Sequence, residues 1–154
     1  MKTFSGFFLL VLMLASLPVF SATYPVDDRG SRVHQPVVRT KWDSVAPTRN
    51  ANTSITGVLV VDVELNTAKW KGKAGKIYMT LAPSSASGSI QASWTSQSEV
   101  LLPGTLQSGE RRLVYDGLID SDLLLDTLTI TLHADGSRVI RPEIVNFTFE
   151  IDIP

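Results

Sequence analysis

His34 and His133 are the only imidazoles in this chain, and cysteine is absent. A histidine does general-base work only beside a nucleophile and an orienting group. His133 ends the threonine-rich run Thr127-Leu128-Thr129-Ile130-Thr131-Leu132, and nothing near it in sequence is placed as a nucleophile. No G-x-S-x-G elbow, H-E-x-x-H pair or phosphate-binding glycine loop occurs. Without thiols there is no disulfide, thiolate zinc site, iron–sulfur cluster or cysteine nucleophile. The expectation is a protein that is not an enzyme and uses no cofactor or metal.

Two other groupings have chemical potential. Asp116, Asp120, Asp122 and Asp126 are spaced D-x3-D-x-D-x3-D. That misses the calcium-loop pattern, and Gly117 is in the wrong place. A solvated loop of turn-forming and capping aspartates is expected instead, with one helical turn over Asp120 to Asp126 and Asp120 as its N-cap. Lys69, Lys71, Lys73 and Lys76 surround Trp70. They suit polysaccharide or lipid headgroups, but a charged hairpin tip is the simpler reading. Trp42 and Trp94 are expected in the core. Asn52-Thr53-Ser54 and Asn146-Phe147-Thr148 match the glycosylation pattern, with Asn146 inside a predicted strand.

The elements that would position these residues must be extended ones. The chain has 154 residues, 14 Lys and Arg against 15 Asp and Glu, and a formal charge of −1. This balance supports no bulk-charge attraction to nucleic acid. Residues 1–21 follow the plan of a secretory signal peptide. Lys2 is the basic start, Phe7 to Leu14 the apolar run, and Pro18 to Ser21 the approach to a cleavage site after Ser21. That run is shorter than the about 20 residues of a membrane span. The product is therefore expected to be exported. Residues 22–54 read as a polar N-terminal extension containing Pro25, Pro36 and Pro47, with a short extended piece from Val33 to Trp42.

From Ile55 onward, period two dominates. Leu59, Val61, Val63 and Leu65 alternate with polar or outward positions, as do Ile77, Met79 and Leu81, then Ile90, Ala92 and Trp94, then Leu128, Ile130 and Leu132. Pro103-Gly104, Asp116-Gly117 and Asp135-Gly136 supply turns. Seven or eight short strands predict an all-β fold, an Ig-like β-sandwich, over residues 55–154.

The C-terminal run has the strictest alternation. Val145, Phe147, Phe149, Ile151 and Ile153 face one way, and Asn146, Thr148, Glu150 and Asp152 the other. A chain end is normally a place for disorder. So apolar a strand needs a neighbour on each edge, or its free edge invites aggregation.

With its secretory signal, its length, its all-β pattern and this terminal strand, the chain resembles the subunits of enterobacterial chaperone–usher fimbriae. The resemblance covers most of residues 55–154 in pattern and is specific at the C-terminus. It implies an Ig-like domain lacking its last strand, completed first by a periplasmic chaperone and then by the N-terminal extension of the next subunit. Val145, Phe147, Phe149, Ile151 and Ile153 would be the chaperone and subunit interface. Tyr24, Val26, Val33 and Val37 would be the apolar positions of this chain's own donor strand. Partners would be the chaperone, an outer-membrane usher and other subunits, and the destination a fimbria on the cell surface. Many such subunits carry a disulfide and a tyrosine next to last. This chain lacks cysteine and ends Asp152-Ile153-Pro154, which favours a minor subunit. The alternative from another class is a self-complete secreted β-sandwich that binds carbohydrate or a host protein.

Overall fold

The structure is a computed structural model that describes residues 21–43, 53–84, 89–138 and 144–154. The predicted signal segment up to residue 20, residues 44–52 of the extension and the serine-rich stretch 85–88 lie outside the described residues.

The described chain is all-β, with two antiparallel sheets packed as a sandwich. In chain order the strands are β1 (Ala22–Pro25), β2 (Arg32–Val33), β3 (Lys41–Trp42), β4 (Ser54–Asn66), β5 (Ala74–Leu81), β6 (Gln91–Ser96), β7 (Gly104–Gln107), β8 (Arg111–Leu118), β9 (Leu123–Asp135) and β10 (Phe147–Ile153). One sheet runs β1-β10-β5-β8. The other runs β2-β4-β9-β6-β7, with β3 also on β4.

The backbone of the second sheet is the pair β4 and β9. Thirteen residues of each are in register, from Ser54 opposite Asp135 to Asn66 opposite Leu123. Their inward positions are Ile55, Leu59, Val63 and Leu65 on β4 and Leu124, Leu128, Ile130 and Leu132 on β9, all buried. The facing sheet contributes Ile77, Met79 and Leu81 from β5, Val114 from β8, and Phe149 and Ile151 from β10. Each fully buried aliphatic side chain contributes about 1.5–3 kcal/mol. Gly75 lies near the start of β5 beside its neighbour β10, and a Cβ there would stand 3.0 Å from both Ile151 Cδ1 and Ile153 Cδ1.

Several local expectations are corrected. Residues 120–126 form no helical turn: residues 121 and 122 bend and β9 begins at Leu123, because apolar alternation over the next ten residues outweighs a possible cap. Asp126 is not solvated but 5% exposed. The basic turn after β4 contains a short 3-10 turn, Ala68–Trp70, that buries Trp70 at 8% exposure. Trp42, expected in the core, is half exposed on β3. Asp135-Gly136 leads into a turn, and the next strand among the described residues, β10, belongs to the other sheet. Asn146 lies one residue before β10 and is exposed.

Residues 22–43 do not stand apart from the domain as a free extension. β1 pairs with β10, and β2 and β3 pair with β4. The extended piece expected from Val33 to Trp42 is two short pairings with a loop between them.

Candidate functional site

β10 is paired on one side from Phe147 opposite Leu81 to Asp152 opposite Lys76. On its other side, β1 covers only the C-terminal half. Ala22, Thr23, Tyr24 and Pro25 lie opposite Ile153, Asp152, Ile151 and Glu150. The Val26 N–H then donates to the Phe149 carbonyl at 2.9 Å, and β1 leaves. Beyond that point no strand among the described residues lies beside Phe147 and Thr148 on this side.

The chain crosses between the sheets immediately after Val26. The Asn66 N–H donates to the Asp27 carbonyl at 2.9 Å, and the Ser31 N–H to the Asp28 carbonyl at 2.9 Å. The Arg29 guanidinium caps this crossing by bonding Asp27 at 2.8 and 2.7 Å, and it pulls that carboxyl down to about 2. β2 follows on β4, and the His34 N–H donates to the Val60 carbonyl. The chain then loops out until β3 pairs with Thr56 and Ile55. Gly57 of β4 makes room for this loop: a Cβ there would meet Val38 Cγ1 at 2.5 Å.

Between the open half of β10 and β4 is an apolar groove of about 710 Å³. Leu59, Val61, Leu128 and Ile130 line it from one sheet, and Met79, Phe147 and Phe149 from the other. The 33–40 loop forms part of its rim, with Val37 75% exposed.

The five C-terminal positions are thus divided. Val145, Phe147 and Phe149 line the groove, while Ile151 and Ile153 lie alongside β1. All five belong to the core or pack against it. The four N-terminal positions are divided as well. Val26 is buried in this chain's own core, and the Tyr24 ring lies 6.2 Å from that of Trp70. Val33 and Val37 are exposed at the groove rim. Val38 and Met79 also line the groove. Met79 belongs to an alternation visible in the sequence, but Val38 follows Pro36 in a segment without periodicity.

The polar groupings hold strands together. Asp62 accepts from the Thr127 hydroxyl at 2.9 Å and pairs with His34 Nε2 at 2.7 Å, which lowers its pKa. Thr127 and His34 therefore meet at the Asp62 carboxylate. The Thr56 hydroxyl bonds Asp43 at 2.7 Å and lies 3.0 Å from His133 Nδ1. Lys71 and Lys76 pair with Asp122 and Asp116 at the surface, and Trp70 is too buried to be a ligand platform. Among the described residues no group of three His, Cys, Asp or Glu is placed to hold a metal ion, and no helix is long and apolar enough to cross a membrane. Compared with protein families, curated proteins and solved structures, the chain matches none of them.

Proposed function

We propose that this chain is an exported structural subunit of the chaperone–usher fimbrial kind, assembled by adding an extended strand from a partner and not by catalysis. The observation that carries this reading is the apolar groove beside the open half-edge of β10. An open edge over an apolar floor is unfavourable in water and is satisfied by an extended peptide. Main-chain hydrogen bonds supply affinity, and alternate side chains fill the floor. We read the strand order as an Ig-like arrangement whose last strand is incomplete: β4-β9-β6 in one sheet and β10-β5 in the other, with β1 covering only the C-terminal half of the edge beside β10. In this reading a periplasmic chaperone fills that place during export. The usher and the neighbouring subunits follow, and a place among the minor subunits accords with the cysteine-free sequence.

The cis pairing of β1 favours a second reading, a self-complete secreted module that binds carbohydrate or a host protein. One experiment separates the two. The exported chain is prepared as it is, and again with a neighbouring subunit's N-terminal segment joined after Pro154 by a flexible linker. Such a linker gives an effective concentration in about the millimolar range. The assembly reading expects a large gain in solubility and melting temperature from the fusion. Equal stability of the two forms, both monomeric, overturns it in favour of the binding module.

A further inference from the structure

We infer that β1 is a cis cap, a strand of this chain that closes the C-terminal half of its own β10 edge and must be displaced before a partner's strand can occupy that edge in full. The cap follows from geometry on this chain alone. Its role in assembly rests on the reading above.

Four features make β1 a finished edge and not a chance contact. Val26, one residue past its end, is buried in the core, and Tyr24, half exposed, lies opposite Ile151 with its ring 6.2 Å from that of Trp70. Its outward residue Thr23 donates to Asp152 Oδ1 at 2.6 Å. Asp152 is held in turn by Arg111 at 2.7 Å, and Arg111 lies 3.7 Å over the Tyr78 ring, so the clasp spans all four strands of the sheet. The third feature is Pro25. The Val26 N–H points to β10, and donor direction alternates along a strand, so the Pro25 nitrogen points away. The missing N–H costs no ladder bond and removes a donor from the outer edge, as proline does on protected edge strands. Fourth, the crossing at Asp27 anchors the exit of β1 to Asn66.

A cap tied to its own domain competes at an effective concentration that a free peptide does not reach. Strand addition to the resting chain is therefore confined to the edge at Phe147 and Thr148, unless β1 opens.

The test uses the exported chain and a fluorescent peptide copying its residues 22–33. Thr23→Cys with Asp152→Cys places two thiols at opposed residues in a chain with no other cysteine, so oxidation locks β1 and reduction frees it. Tyr24→Asp with Val26→Asp releases β1 by charging both inward positions. The expected result is peptide binding at least about tenfold tighter for the released variant than for the unaltered chain, and none for the oxidised lock. Amide exchange gives a second readout that needs no variant. In the unaltered chain, the N–H groups of Ile151 and Ile153 point to β1 and exchange slowly, whereas that of Phe147 exchanges fast. Peptide binding equal in the oxidised and reduced lock, or fast exchange at Ile151, overturns the cap. A lock that still blocks the peptide, alongside a fusion that brings no stability, leaves the cap standing and removes its role in assembly.

Discussion

The Ser96 hydroxyl donates to Asp126 Oδ2 at 2.6 Å, joining β6 to a carboxylate that points into the sandwich. The same carboxylate accepts from the N–H groups of Leu101 at 2.8 Å and Ser98 at 3.1 Å. It thus organises the loop between β6 and β7, in which Glu99 takes the left-handed conformation with φ of 57°. Burial alone raises the pKa of Asp126, but these hydrogen bonds outweigh it and the result is lowered.

Asp126→Ala is expected to destabilise the fold by about 2–3 kcal/mol, because it strands buried N–H donors that the charged group satisfied. Chemical denaturation of the variant against the unaltered chain measures this. A loss within 0.5 kcal/mol, about the level of an ordinary surface change, contradicts it.

Acid should act through the same group. Its folded pKa lies below the usual carboxylate value of 3.8, so its contribution is fully present above that value. The contribution falls as pH drops through the depressed folded value. Denaturation midpoints measured from neutral pH downward should decline below pH 4, and Asp126→Asn should flatten part of that decline.

Phe149 is 5% exposed and belongs to the core, whereas Phe147 is only half-buried beside the groove. Phe149→Ala should cost roughly 3–5 kcal/mol, the range for a buried aromatic, and Phe147→Ala distinctly less. In the assembly reading, both should lower the yield of exported protein. Equal costs at the two positions would contradict the groove geometry.

Gly104 tests the packing at the other end of the sandwich. A Cβ there would stand 2.9 Å from Trp94 Cζ2, and Trp94 is buried with its Nε1 donating to the Leu102 carbonyl at 2.9 Å. The indole cannot move without giving up that bond. Gly104→Ala is expected to destabilise by about 1–3 kcal/mol, with a shift in tryptophan emission. Unchanged emission and stability would show that the ring yields freely.

Much of this architecture is legible in the amino-acid order, for a physical reason. Strands such as β9 and β10 bury one face, so their residues alternate, and Phe149 and Ile151 announce their burial two positions apart. β1 gives no such sign. It is four residues long, contains Pro25, and finds its partner β10 at the far end of the sequence. Trp42 and Trp70 change places relative to expectation, because residue type does not say which indole a neighbouring strand covers. Asp126 is misread for a related reason. An aspartate among turn-forming residues has the composition of a loop, and only the fold brings Ser96, Ser98 and Leu101 to it. The groove is half legible: its apolar floor follows from periodicity, while its open edge depends on where β1 stops.

Ala22 and Ile153 are opposed in the β1–β10 ladder, which sets a mechanical property of the domain. A pull that separates these two residues loads the outermost rungs first, and the ladder peels one pair at a time. A pull along the strand axes would load every rung together. Tension applied across this pair should therefore open β1 at low force while the long β4–β9 ribbon stays intact. The cap would act as a tear strip, yielding early and leaving the rest of the sandwich whole.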